Sequence, residues 1–237
     1  QEAKDLQKAT KGLKLVETGS TAYNSFWMNA EVAPWKDARV RRAMSLSMNR
    51  DEYIQIIGKG LGKHAGPVVP VFGDYALSDA ELKKLQPYDV AEAKKLFEAA
   101  GVKEVAFTHP TSSTMNDYVN IMVKQLQAIG VTAKPQPLDA AAWVAQYFGN
   151  KLTASYSLNQ SYKTPDSALL WYRTGGVTGS GNYDTKLYSA ALDTLIDKAA
   201  ATIPEAERKA AYLEAQRAVV KSDPAFINVF NQGSNVV

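Results

Sequence analysis

The fold class is decided by residues 105–158, VAFTHPTSSTMNDYVNIMVKQLQAIGVTAKPQPLDAAAWVAQYFGNKLTASYSL. Short β-prone runs in this stretch alternate with longer runs whose apolar residues recur at spacings of three and four. In chain order, the predicted elements are strand Val105 to Thr108, helix Ser113 to Ile129, strand Val131 to Ala133, helix Ala140 to Phe148 and strand Leu152 to Leu158. This alternation predicts an α/β sheet whose strands are joined by right-handed helical crossovers.

The same two patterns continue on both sides of this stretch. Helical periodicity predicts four more segments, Asp37 to Ile57, Asp89 to Ala100, Tyr188 to Ala199 and Pro204 to Pro224. β-Prone runs predict strands over Leu13 to Thr18, Tyr23 to Asn29 and Phe226 to Phe230. Neither an internal repeat nor a linker rich in Pro, Gly and Ser divides the chain, so we predict one domain over residues 1–237.

Composition excludes several classes of protein. The 237 residues are 46% hydrophobic and 22% charged, which predicts a folded chain. The net charge of only +3 is spread along the sequence, so nucleic acid is not the expected partner. The absence of cysteine excludes thiol nucleophiles, disulfides and thiolate metal sites. Because no apolar run approaches ~20 residues and the first residues do not resemble a signal peptide, we expect a soluble chain that is mature or a fragment.

Polar residues follow two of the predicted strands. Thr108, His109 and Pro110 follow the first, and residues 159–162, Asn-Gln-Ser-Tyr, follow the strand that begins at Leu152. Ligands of open α/β sheets collect beyond the carboxyl ends of the strands. The sequence therefore predicts a binding site at these two strand ends.

Catalytic and metal motifs are missing from the sequence. Its two histidines, His64 and His109, do not have the spacing of metal ligands. We interpret His64 as lying in a solvated loop. We interpret His109 either as a candidate site residue or as a polar residue at the rim of the site. The glycine-rich loop 174–182 has no phosphate-binding pattern, and Ser180 within it has no nucleophile-elbow pattern. We expect no metal, no cofactor and no catalytic residue, and we expect binding rather than catalysis.

A cluster of three arginines, Arg39, Arg41 and Arg42, raises the question of phosphate binding. Val40, Ala43 and Met44 lie between and beside them, which is typical of an amphipathic helix. We interpret the three arginines as a solvated outer helix face.

Residues 29–50, NAEVAPWKDARVRRAMSLSMNR, resemble a signature of the family 5 solute-binding proteins of ABC importers. The family pattern has an Asn, then Pro-Phe-x-Asp-x-Arg-Val-Arg-x-Ala, then Asp-Arg; here Trp35 replaces the Phe and Asn49 the Asp. Further features that resemble the family follow in the same order, namely Tyr88 to Gly101, Gln125 to Val131, Trp143, Tyr183, Asp193, Arg208, Tyr212, Gln216 and Asp223-Pro224.

The resemblance implies a fold and a function. It implies the C-terminal lobe of a two-lobed periplasmic-binding protein of type II, a mixed sheet flanked by helices. Residues 1–30 and 224–237 would then include strands that link to a missing N-terminal lobe. The implied function is capture of a peptide-like or other small polar solute for an ABC permease, in the periplasm or, membrane-anchored, outside a Gram-positive cell. A single lobe is expected to bind solute weakly.

The resemblance also implies site residues. The candidates that face the cleft are His109, Trp143, Asn150, Ser155, Leu158, Asn159, Gln160 and Ser161. Peptide-binding relatives hold the solute's amino terminus with an aspartate, and the corresponding run here begins at Ser161, which supplies no charge. Ser155 lies near where oligopeptide binders can carry an arginine. We therefore hypothesise a solute other than a simple α-amino peptide, such as a blocked peptide, an opine or a sugar-like compound.

Two other functions stay open. A hydrolase acting on peptides or sugars requires His109 within hydrogen-bond distance of a serine and a carboxylate. A protein-interaction module requires a continuous exposed apolar patch. Trp143 is compatible with a core position as well as with the cleft.

Overall fold

The structure, a computed structural model, describes residues 7–10, 12, 16–159, 163–175 and 189–236. In this part of the chain the strands are β1 Val16–Thr18, β2 Tyr23–Met28, β3 Gly62–His64, β4 Glu104–Pro110, β5 Thr132–Leu138, β6 Ala154–Asn159, β7 Phe226–Gln232 and β8 Ser234–Val236. The α-helices are α1 Ala38–Ser47, α2 Arg50–Ile56, α3 Asp79–Leu85, α4 Val90–Ala99, α5 Ser113–Ala128, α6 Ala140–Phe148, α7 Pro165–Leu169, α8 Ala190–Ala201 and α9 Glu205–Lys221.

Six of the described strands form one mixed sheet in the order β3-β7-β2-β6-β4-β5. β4 runs parallel to both β5 and β6, whereas β2 is antiparallel to β6 and β7, and β3 is antiparallel to β7. The predicted α/β class with a mixed sheet is confirmed. The predicted alternation of strands and helices over residues 105–158 corresponds to β4, α5, β5, α6 and β6.

Both faces of the sheet are covered. Successive side chains of a strand point to opposite faces, and in β2 Phe26 and Met28 pack into one core cluster while Tyr23 and Trp27 pack into the other. All six residues of β2 are buried. The first cluster is completed by α1, α2, α4 and α5, and the second by α8 and α9, which gives three layers.

The helix predicted over Asp37 to Ile57 is wrong as one helix, because the structure divides it into α1 and α2. Met48 and Asn49 interrupt the helix with extended backbone angles. The Asn49 side chain accepts a hydrogen bond from the backbone N–H of Glu52, so Asn49 caps α2. An asparagine competes for backbone donors and is favoured at such a start.

The prediction that all three arginines of α1 are solvated is wrong for Arg41. Its side chain is buried, with Nε 2.8 Å from the carbonyl oxygen of Asp223 and Nη1 2.8 Å from that of Trp35. Arg39 stays exposed and pairs with Asp37. Arg41 therefore ties α1 to the end of α9, a long-range contact that helical periodicity does not reveal.

Two short helices, α3 and α7, are absent from the sequence predictions. Ser78 caps α3 by accepting from the N–H of Glu81, and Thr164 and Ser167 form a capping box at the start of α7. The spacing Ser78-x-x-Glu81 is a helix-start signal that the sequence does contain. Of the other predicted elements, Leu13 to Leu15, Tyr188 and most of the glycine-rich loop lie outside the described residues.

A two-stranded ribbon adjoins the six-stranded sheet. It consists of β1 and β8, paired antiparallel with Glu17 opposite Asn235. β1 leads into β2, and β8 follows β7 after Gly233. The chain therefore passes between the sheet and the ribbon twice, at two adjacent central strands.

Candidate functional site: one edge of the sheet

The two predicted strand ends lie at the same edge of the sheet. β4 and β6 are parallel neighbours, with Thr108 opposite Ser155, so their carboxyl ends point the same way. Tyr23, the first residue of β2, lies opposite both Asn159 of β6 and Asn231 of β7. Asn231 in turn lies opposite Lys63 of β3. One row of residues therefore runs along this edge, and the ribbon joins the sheet there.

The connections that follow β4 and β6 lead to opposite faces of the sheet. After β4 the chain enters α5, whose apolar side chains belong to the first core cluster. After β6 it reaches α7, whose Ala168 and Leu169 belong to the second cluster. Two parallel neighbours whose connections diverge leave a crevice between their carboxyl ends, which is where open α/β sheets bind ligands.

Trp143, Ser155 and Thr108 form a chain of hydrogen bonds beside this crevice. The indole Nε1 of Trp143 on α6 donates to the hydroxyl of Ser155 at 2.9 Å. The Ser155 hydroxyl in turn donates to the carbonyl oxygen of Thr108 at 3.0 Å. Ser155 is completely buried and Trp143 is half-buried, with its ring stacked on Tyr147 at 5.0 Å. This chain of hydrogen bonds fixes α6 against the start of β6 and the carboxyl-terminal part of β4.

His109 occupies the next-to-last position of β4 and is buried. Its Nδ1 lies 3.3 Å from the carbonyl oxygen of Pro110. Burial lowers the pKa of His109, and this weak backbone contact offsets only part of that effect. Within the described residues, neither a serine hydroxyl nor a carboxylate lies within hydrogen-bond distance of the ring, so this end of β4 has no acid–base constellation.

The remaining predicted site residues are less closely grouped. Leu158 and Asn159 are the last two residues of β6, and their backbone positions place them at the sheet edge. Asn150 is exposed in the turn after α6, with a φ of 54° and its N–H donating to the carbonyl of Tyr147. Gln160 and Ser161 lie outside the described residues.

The interpretation of His64 as a solvated loop residue is wrong. His64 lies on β3 and is buried, with Nε2 2.9 Å from a carboxylate oxygen of Asp51. Its backbone N–H donates to Asp79, and Lys83 pairs with both aspartates. Burial lowers the pKa of His64 although the Asp51 hydrogen bond opposes it. Little in the sequence indicates this position, because the glycines on either side suggest a loop and the pairing of β3 with β7 is long-range.

Neither a metal centre nor a membrane span emerges from the part of the chain that the structure describes. No group of three or more His, Asp or Glu side chains there is arranged to hold a metal ion. None of the described helices combines the length and apolar character needed to cross a bilayer.

The proteins that this chain resembles include two that are named as binding proteins. The chain is 26% identical over 225 residues to the glutathione-binding protein GsiB of Salmonella paratyphi A, which covers 90% of this chain and 43% of that protein. HbpA2 of Haemophilus parasuis superposes with a TM-score of 0.81 at 16% identity, over 99% of this chain and 47% of that one. AppA of Bacillus subtilis, solved with a nonapeptide, superposes with a TM-score of 0.77 at 18% identity, over 98% and 49%.

The similarities to known proteins identify the fold and the family of the chain. The solved structures confirm the predicted fold, that of type II periplasmic binding proteins, while the chain spans less than half the length of each of these proteins. Residues 1–180 match the family described as bacterial extracellular solute-binding proteins, family 5 middle. Since this match extends over most of the chain, the protein belongs to the family 5 bacterial extracellular solute-binding proteins.

Proposed function

We propose that this chain is one lobe of the solute-binding component of an ABC importer. It grips a small polar or peptide-like solute at the described sheet edge and performs no reaction on it. The other lobe, reached through β1 and β8, would close on the same edge. The assembled protein would work in the periplasm or on the outer cell surface and deliver its solute to a membrane permease.

One observation carries this proposal: the ribbon joins the sheet at the edge where β4 and β6 end. The first residue of β2 and the end of β7 lie in the same row as Asn159. A second lobe attached through the ribbon would therefore face the crevice. A solute held there would be desolvated from two sides, which is how deep clefts gain affinity.

On this proposal the predicted site residues have three different roles. His109, Leu158, Asn159, Gln160 and Ser161 would line the crevice. Trp143 and Ser155 would act behind it, since the Ser155 hydroxyl is already engaged by Trp143 and Thr108. Asn150 would serve chiefly to end α6, in keeping with its left-handed backbone and exposed position.

The proposed solute class is peptide-like but lacks a simple α-amino anchor. In the run 161–167 the remaining carboxylate, Asp166, accepts a hydrogen bond from the hydroxyl of Tyr212. That hydrogen bond joins Asp166 of α7 to α9, and position 161, where peptide-binding relatives carry their aspartate, is a serine. A free α-amino group would lose a charge-assisted contact worth about 1.5–3 kcal/mol. Relatives named for binding glutathione, a peptide with an unusual γ-linkage, support a peptide-like solute; glutathione itself keeps a free α-amino group, so these relatives do not bear on the missing anchor.

The two alternative functions have less support. A hydrolase requires a serine and a carboxylate beside His109, and the described contacts of its ring include only the Pro110 carbonyl. A protein-interaction module draws support from α6, where Val144 and Phe148 are exposed on one face. That stripe is confined to a nine-residue helix, whereas the solute-binding proposal also accounts for the crevice and the ribbon.

Calorimetry on two proteins tests the proposal. The isolated chain and the longer protein encoded by the reading frame that contains it would each be titrated with glutathione, ordinary dipeptides and oligosaccharides. We expect micromolar or tighter binding of at least one solute only in the longer protein. Micromolar binding by the isolated chain would overturn the one-lobe proposal, and tight binding of ordinary dipeptides would overturn the proposed solute class.

A further inference from the structure

A groove of about 310 Å³ lies where the ribbon joins the sheet. Its lining includes the two ribbon joints, Gly19 and Gly233, together with Lys63 of β3 and the exposed Val71. Lys63 ends the row that begins at Asn159 and passes through Tyr23 and Asn231. The groove and the crevice therefore lie along the same sheet edge.

We propose that this groove is a second subsite for the same solute, in which Lys63 takes a carboxylate. The inference rests on the proposed function and adds to it the charge of the solute and the place where that charge is held. The apolar sides of Pro70 and Val71 would contact the part of the solute next to the carboxylate.

The volume of the groove favours a molecule over a single side chain as its occupant. About 310 Å³ corresponds to roughly ten water molecules at ~30 Å³ each and reaches the lower limit of ordinary small-molecule pockets. One acidic side chain from a partner surface would leave most of this space unfilled. A carboxylate attached to a peptide-like solute would fill more of it.

Two glycines keep the groove open. A Cβ atom built at Gly19 would lie 3.2 Å from the Cβ of Val71, so a larger residue there would close the gap. A Cβ at Gly62 would come within 2.7 Å of the carbonyl oxygen of Asn231, and Gly62 has a φ of 136°. Only glycine fits at position 62 without displacing β7.

Asn231 supports the floor of the groove. It is buried, and its side-chain nitrogen donates to the carbonyl oxygens of Ser20 and Ala22, at 2.6 Å each. These bonds hold the β1–β2 joint against β7. Lys63, by contrast, is exposed, and among the side chains that the structure describes no carboxylate lies within ion-pair distance of its ammonium.

The test is an NMR titration of the ¹⁵N-labelled chain with glutathione, which carries two carboxylates, into the millimolar range. The matched probe is glutathione diethyl ester, which carries none. We expect saturable shifts of the amides of Gly19, Gly62 and Lys63 with glutathione and weaker ones with the ester. Added salt should weaken the glutathione shifts, because an exposed ion pair is screened.

Variants locate the contact. Lys63→Ala should raise the dissociation constant about two- to fivefold, the range for losing one exposed ion pair. Lys36→Ala, the control at an exposed lysine outside the groove, should leave it unchanged. Gly19→Val should abolish the groove shifts while the rest of the spectrum keeps its dispersion.

Each other outcome overturns the subsite. The subsite would be ruled out if the groove amides showed no saturable shifts with glutathione. It would also be ruled out if the diethyl ester gave shifts as large as those of glutathione, or if Lys63→Ala left the shifts unchanged. Shifts confined to Thr108–Thr111 and Asn159 would also overturn it, but they would leave the proposed solute-binding function standing.

Discussion

The two histidines of the chain occupy contrasting sites. Both are buried, and burial is the main cause that lowers the pKa of each. His64 is held through side-chain and backbone hydrogen bonds by Asp51 and Asp79 from two helices, with Lys83 bridging these aspartates. His109 contacts only a backbone carbonyl of the following residue among the described groups.

This difference in ring partners indicates a structural role for His64 and leaves His109 as a candidate site residue. His64 joins β3 to α2 and α3, and its ring Nε2 is already hydrogen-bonded to Asp51 within the fold. His109 lies at a strand end beside a crevice, and no charged group among the described residues fixes its ring. Burial alone therefore does not distinguish the two histidines, whereas the partners of their rings do.

The largest expected effect concerns Arg50, which lies next to the His64 site. It is fully buried, which lowers its pKa to about 10, and its guanidinium donates to the carbonyl oxygens of Ser45, Gln86 and Asn228. Arg50→Ala would leave these acceptors unpaired and open a cavity. We expect a loss of about 3–5 kcal/mol in the free energy of unfolding, measured by urea denaturation.

The matched control is Arg39→Ala, because Arg39 is exposed and pairs with Asp37. Surface pairs of this kind contribute about 0–1 kcal/mol. Equal losses for the two variants would show that the structural character assigned to the Arg50 and His64 site is wrong.

The pH dependence of stability sharpens the comparison of the histidines. Each has a folded-state pKa below the unfolded value of ~6.5, so the unfolded chain binds more protons as the pH falls below that value. Their contribution is therefore fully present above pH ~6.5 and is lost as the pH falls towards the folded-state pKa values. Each pKa unit of lowering corresponds to about 1.4 kcal/mol.

Urea denaturation at several pH values between 7 and 5 measures this effect. His64→Gln and His109→Gln should each flatten the fall in stability, and the double variant should flatten it most. Around His64 the charged groups are Arg50, Asp51, Asp79 and Lys83, so added salt should change the contribution of His64 more than that of His109. An unchanged slope in both variants would contradict the burial of the rings.

Local patterns were sufficient for much of the fold. The strand–helix alternation of residues 105–158 depends on periodicity within each segment, and every element predicted there is present. The one break that was missed, at Asn49, follows from a side chain competing for backbone donors within an otherwise helical pattern.

The sequence alone does not reveal which residues far apart in the chain contact each other. The burial of Arg41 depends on a carbonyl of Asp223, and that of His64 depends on the pairing of β3 with β7. The strand-end rule selects His109 and Asn159 as candidates but does not place Lys63 in the row of Asn159, because β3 and β7 are antiparallel additions to the sheet. The pairing of Trp143 with Ser155 was equally invisible, although both were site candidates.

The smallest expected effect concerns that last pair. Trp143→Phe removes the donor to Ser155 while keeping an aromatic ring against Tyr147, so it should cost about 1 kcal/mol, the usual net value of one hydrogen bond. Ser155→Ala should cost a similar amount. The double variant should lose less stability than the sum of the two single losses, with a coupling of about 0.5–1 kcal/mol measured by thermal unfolding. Strict additivity would mean that the two side chains do not interact, and α6 would then be held at the crevice by its apolar contacts alone.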